Sequence, residues 1–158
     1  GPRVTFWVTN QRATPIYYRG DECFERFRIA PEGGPLGTAD FPWVYMTCEE
    51  VRKIDDWPLD CLDDTVNEIA PGESATFLWT GRLYEPQQMP IACAAAPDNP
   101  FADDCPRAVA VQPGAFKIAL ELFGASTCED VWCSLGDPFT VEQDFTYPDD
   151  TAIAITVD

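Results

Sequence analysis

Apolar side chains along this chain recur at every second position far more often than at every third or fourth. "RVTFWVT" (3–9) sets Val4, Phe6 and Val8 on one face, with Thr5, Trp7 and Thr9 on the other. "SATFLWT" (74–80) does the same with Ala75, Phe77 and Trp79, and "AFKIALELF" (115–123) with Phe116, Ile118, Leu120 and Leu122. "FTVEQDFTY" (139–147) and "AIAITV" (152–157) complete the strong runs, and "PIYY" (15–18), "FERFRIA" (24–30), "PWVYMT" (42–47) and "TVNEI" (65–69) are shorter ones. A period of two means half-buried strands with one face on a core. Fifteen prolines leave little room for helix. The exception is "CEEVRK" (48–53), acidic at its start and basic at its end as a helix dipole favours. The pattern predicts an all-β chain of about seven to nine short antiparallel strands packed as a β-sandwich.

Turn residues refine the expectation. "APGES" and "QPGAF" each place Pro-Gly just before an alternating run. Proline fixes one φ of a type II turn and glycine supplies the positive φ that follows. Segments 74–80 and 115–123 therefore read as hairpin partners, with 81–114 as a long excursion between them.

Four phrases carry a resemblance. "TFWVTNQRATPIYY", "FERFRIAPEGG", "EIAPGESATFLWTG" and "QPGAFKIALELF" occur in the order found in the bacterial intracellular proteinase inhibitor family and similar Ig-like domains. There, a first strand ending in Asn leads to a Pro-initiated second strand, and a "PGES" turn precedes a Trp-bearing strand. The match covers about residues 4–123 with a gap over the excursion. It implies an Ig-like sandwich and, as one activity, proteinase inhibition. The chain departs from the family in its seven cysteines, its excursion and its extra C-terminal strands.

Composition narrows the function classes. At 158 residues the chain suits one domain, 3–158, able to bury roughly 70% of its unfolded surface. Gly1-Pro2 reads as the scar of a removed tag. The net charge of −17 opposes nucleic acid and anionic lipid as partners. No stretch has the roughly 18 apolar residues of a membrane span. Histidine is absent, which removes Ser-His-Asp and Cys-His catalysis and His-ligated zinc. Adjacent acids such as Asp103-Asp104 and Glu49-Glu50 lack the facing geometry of a glycosidase pair. The expectation is a protein without catalytic residues or cofactor.

Seven cysteines without C-x₂-C spacing read as disulfides, hence as an extracytoplasmic location: secreted, periplasmic or surface-anchored, with a lipidated parent as one form. A strand order in which 42–47 returns beside 24–30 puts Cys23, Cys48 and Cys61 at one pole and Cys128 and Cys133 at the other. The expected bridges are Cys48–Cys61, Cys93–Cys105 and Cys128–Cys133, with Cys23 as the free thiol. Cys23–Cys48 with Cys61 unpaired is the alternative.

Candidate binding chemistry concentrates in loops. "DDWPLDCLDD" (55–64) offers Asp60, Asp63 and Asp64 as calcium ligands, but in the spacing of no ordered calcium loop; a solvated acidic loop is the competing reading. Arg19-Gly20-Asp21 is the integrin tripeptide and also ordinary hairpin-tip sequence. Trp43, Trp57 and Trp132 stand where they would be exposed for stacking on sugars. The two longest segments outside strands, 48–64 and 82–113, are expected at one end of the sandwich. Asp55, Asp56, Trp57, Asp60, Met89 and Ile91 would there form an apolar centre with an acidic rim. The function expected is a protein-binding or structural module whose partner is another protein or a cell-surface polymer. Proteinase inhibition and carbohydrate binding are the alternatives.

Overall fold

The computed structural model describes residues 1–20, 23–42, 45–56, 65–102, 104–129 and 132–158, with only the backbone of Trp132. In chain order the elements are β1 (Val4–Asn10), β2 (Ile16–Arg19), β3 (Phe27–Pro31), β4 (Gly37–Thr38), α1 (Cys48–Lys53), β5 (Val66–Ile69) and β6 (Ser74–Trp79). These are followed by β7 (Arg82–Gln88), a 3-10 turn at Ile91–Cys93, β8 (Asp104–Ala110), β9 (Gly114–Glu129), β10 (Trp132–Tyr147) and β11 (Ala152–Val157).

Two sheets face one another. The smaller has the order β11-β1-β6, with β1 parallel to β11 and antiparallel to β6. The larger has the order β5-β2-β9-β3-β4-β7-β8, with β10 also on β9. β10 pairs with β9 from Gly114 to Glu129, so β3 and β2 share the opposite edge, Phe27 facing Leu120 and Tyr17 facing Phe123. Beyond Phe123, β9 pairs only with β10 among the described residues, and this ribbon is closed near its tip by Cys128–Cys133.

The alternating faces meet in the space between the sheets. Val4, Phe6 and Val8 of β1, Phe77 and Trp79 of β6, and Ile153, Ile155 and Val157 of β11 pack against Phe27, Ile29, Phe116, Ile118, Leu120, Leu122 and Phe145. Trp79 is fully buried, with ring centroids 5.7 Å from both Phe116 and Phe145 and 5.2 Å from Tyr147. Its indole N–H donates to the Arg82 carbonyl at 2.7 Å, so the ring buries no unmet donor. Trp7, on the other face of β1, is 49% exposed.

Among the described residues, one polar side chain is buried beside the sandwich core. Asn10 ends β1 fully buried, and its amide donates to the carbonyls of Thr14 and Ile69, both at 2.9 Å. Its side-chain oxygen accepts from Arg12 N–H, and its carbonyl accepts from Gly72 N–H at 2.7 Å. Gly72 holds φ 82° in the Pro71-Gly72 turn, the conformation that the turn sequence predicts. One asparagine thus fastens the start of β2 and the β5–β6 turn to the end of β1.

Several expectations need correction. β6 and β9 are not hairpin partners: β6 pairs with β1, the chain changes sheet at Gly81 (φ 72°), and β9 lies in the other sheet. The excursion is itself a hairpin, β7–β8, extending the larger sheet through β4. Pro86 faces Pro106 there, so two missing N–H groups fall on one rung, and proline-bearing runs do not read as strand. Pro42 and Tyr45–Thr47 are not strand, because Thr47 serves as the N-cap of α1. β3 pairs instead with β4 and β9. β2 forms no hairpin with β3 but pairs with β5 and β9. Arg19 therefore ends a strand with its guanidinium over the Phe24 and Phe123 rings, rather than projecting from a hairpin tip; Asp21 lies outside the described residues.

Trp79→Ala should cost about 3–5 kcal/mol in urea unfolding, the range for emptying an aromatic site in a packed core. Asn10→Ala should cost about 2–6 kcal/mol, since one buried and one part-buried carbonyl lose their donor at about 1–3 kcal/mol each. A loss under half a kilocalorie at Asn10 would show that those carbonyls find other donors.

Candidate functional site

Thr47 begins α1 with a capping box. Its hydroxyl accepts from Glu50 N–H at 3.4 Å, and the Glu50 carboxylate accepts from Thr47 N–H at 2.8 Å. The helix that follows has six residues, too few to stand alone, so its position rests on what it packs against. Cys48 and Val51 face inward and join Met46, Met89, Ala102 and Cys105 in a second apolar cluster, separate from the sandwich core. Ala94 and Phe101 of the β7–β8 loop pack on it. Buried Asn99 shapes that loop by accepting from Phe101 N–H at 2.9 Å, and Ala95 N–H donates to the Val51 carbonyl.

A disulfide joins Cys48 to Cys105 over 57 residues of sequence. On the chain-entropy account, closing a loop of that length is worth about 4 kcal/mol, against about 2 for the short Cys128–Cys133 loop. The expected pairings Cys48–Cys61 and Cys93–Cys105 are therefore incorrect. The β7–β8 hairpin returns Cys105 to the helix, while Cys93 stays outside in the 3-10 turn as an exposed free thiol. Cys23 is disulfide-bonded, so it is not the free thiol, and Cys61 lies outside the described residues.

Between α1 and the hairpin runs an open cleft of about 680 Å³. Arg52 and Lys53 of α1, Arg82 of β7 and Arg107 of β8 line it, together with Thr47, Glu49 and Gln87. Only ten side chains in the chain are cationic against 27 acidic ones, so four cations around one cleft reverse the local balance. Elsewhere cations are engaged: Arg26 grips Asp40 through two hydrogen bonds, Arg28 pairs with Glu25, and Lys117 with Glu142. In the cleft, Lys53 bonds Glu49 at 2.7 Å and Arg52 lies against the Met89 sulfur. Arg82 and Arg107 make no ion pair within 4 Å among the described residues, although Glu85 stands opposite Arg107 in the ladder. The Lys53 hydrogen bond and charge, aided by Arg82, hold the exposed Glu49 carboxyl below its ordinary value. Burial raises the Tyr84 hydroxyl in the adjoining part of the cleft, and the Arg82 charge opposes the rise.

The two long segments do meet, at α1 and β8. The surface differs from the expected apolar centre, because Met89 is buried under the helix while Ile91, Asp55 and Asp56 are exposed. Trp57, Asp60, Asp63 and Asp64 lie outside the described residues, as does Trp43. Among the described residues no group of three or more acidic or cysteine side chains is placed to hold a metal. Sequence reasoning passed over Arg52, Lys53, Arg82 and Arg107. Their signal was the fall of four scarce cations within the two segments already singled out.

Comparison with family models, curated proteins and solved structures finds no match to this chain. Among the described residues no helix is long and apolar enough to cross a membrane. The Cys48–Cys105 and Cys128–Cys133 disulfides fit an oxidising compartment.

Maleimide labelling of the native protein without reductant should modify Cys93 first, and Cys93→Ser should abolish that rapid phase. Cys48→Ser with Cys105→Ser should cost about 4 kcal/mol of stability, roughly twice the effect of removing Cys128–Cys133. Side-chain NMR titration should place Glu49 below the ordinary glutamate midpoint, and Lys53→Gln should move it upward. The Lys53–Glu49 pairing is then present above the unfolded-state midpoint and is lost as pH falls through the lowered folded one.

Proposed function

We propose that this chain is an extracytoplasmic, non-enzymatic β-sandwich module, Ig-like in character, that binds a partner protein or cell-surface polymer with the face formed by α1 and the β7–β8 hairpin. The observation that carries this reading is the Cys48–Cys105 bridge over a small apolar cluster of its own. A fold already stabilised by its sandwich core has no need of a second core outside the sheets. Such a cluster is warranted where a surface must keep its shape. Fixing the loop before contact removes ordering entropy that binding would otherwise have to overcome. The absence of histidine argues against the common hydrolytic mechanisms, and the exposed Glu49-Glu50 pair belongs to a helix cap and an ion pair.

Proteinase inhibition is a second reading, favoured by the disulfide-closed β9–β10 ribbon that extends past its neighbours. A protease panel separates the two: inhibition that is lost when residues 126–135 are shortened would favour this second reading. The main reading predicts that labelled protein binds intact cells or envelope fractions of its source. Binding should fall at least about tenfold on replacing the loop 90–103 by a short turn, the loss expected when the centre of an interface is removed. It should be unchanged by Trp7→Ser on the opposite sheet. Unaltered binding by the loop-shortened protein, with its fold confirmed by circular dichroism, would discard this face as the working surface.

A further inference from the structure

We infer that the cleft between α1 and the β7–β8 hairpin is an oxyanion site, taking one carboxylate, sulfate or phosphate group through Arg82 and Arg107, with Arg52 and Lys53 adding positive charge. This rests on the reading of that face as the binding surface and names the chemistry it recognises.

Lys53 already holds Glu49, but among the described residues Arg82 and Arg107 have no carboxylate within 4 Å, in a chain where carboxylates outnumber cations 27 to ten. Arg26, Arg28 and Lys117 each hold an acid, and Arg12 and Arg19 lie over aromatic rings, Arg12 also donating to the Asp158 carbonyl. Among the described residues Arg82 and Arg107 have neither an ion pair within 4 Å nor a ring beneath them, and both line the cleft, where the Arg82 charge also acts on Glu49. A guanidinium presents a planar fork that matches the two oxygens of a carboxylate, sulfate or phosphate, and its bonds to them are about twice as strong as neutral ones. Thr47 and Gln87 supply polar groups beside it. The volume of about 680 Å³ lies within the span of small-ligand clefts and leaves room for a residue-sized group behind the anion.

The acidity of the whole chain selects the size of the ligand. At physiological salt the Debye length is about 8 Å, so an anion inside the cleft interacts with the lining cations, of which Lys53 is already paired with the lining Glu49, far more than with distant acids. An extended polyanion would lay most of its charge against a surface of net −17 and be repelled. The site therefore takes a single compact anionic group. Salt should slow binding less than it does for a basic protein, because screening also relieves the long-range repulsion.

Isothermal titration and amide NMR of the intact oxidised chain, at low salt, with sulfate, phosphate and succinate as separate probes, test this. At least one probe should bind saturably, shifting amides of Cys48–Lys53, Arg82 and Arg107. The strongest of the three shows whether the group is tetrahedral or a carboxylate. Arg82→Gln with Arg107→Gln should weaken binding at least about tenfold, the loss expected for charge-assisted bonds. Arg28→Gln with Lys117→Gln should leave it unchanged. Dextran sulfate should bind no more tightly per sulfate than the free ion. Absence of saturable binding by all three probes would overturn the inference, as would equal losses in the two double variants or tighter binding by the polymer. Envelope binding lost in the Arg82/Arg107 variant without any free-anion binding would overturn the oxyanion site and leave the binding face standing. Arginine-dependent anion binding alongside envelope binding that survives loop shortening would do the reverse.

Discussion

Trp79 packs where the small sheet closes over the large one, and most of the fold depends on that contact. It comes from β6, lies between Phe116 of β9 and Phe145 of β10, and touches Tyr147 at the end of β10. Its indole N–H reaches across the sheet change to the Arg82 carbonyl. The same residue therefore packs the two layers and fixes where β7 starts. Everything beyond Gly81, including the hairpin that carries Arg82 and Arg107, takes its direction from this point.

The α1–β7–β8 region is held differently. Its apolar cluster is small, and the helix contributes one turn and a half of backbone, so burial alone gives it little. The Cys48–Cys105 bridge supplies the constraint, and α1 lies beside β8, the outer strand of its sheet among the described residues. Covering such an edge removes a template for unwanted strand pairing. A rigid corner with exposed arginines results, on a molecule whose remaining surface is strongly acidic.

Charge explains why these arginines matter more than their number suggests. On a basic protein, four cations around a groove would be ordinary surface. In a chain of net −17, each cation left without an acid forgoes interactions available nearly everywhere else. Arg26 shows the alternative, with a half-buried two-pronged grip on Asp40.

Alternation by twos in β1, β6, β9 and β11, and the positive φ demanded at Gly72, determined the all-β class, the core faces of Phe6, Phe77, Trp79 and Ile118, and the Pro71-Gly72 turn. These are local properties, set by side-chain periodicity and by glycine's lack of a Cβ. The short helix 48–53 was equally legible from its end charges. Which strand lies beside which was not, because β1 takes both its partners, β6 and β11, from far along the chain, and β7 hides behind Pro86. Cysteine pairing followed the same limit: Cys48 meets Cys105 only because a hairpin of proline-broken strands folds back to it. The arginine cleft belongs to the tertiary structure for this reason. Residues 52, 82 and 107 carry no common motif, and only the packing of α1 against β8 brings their charges together.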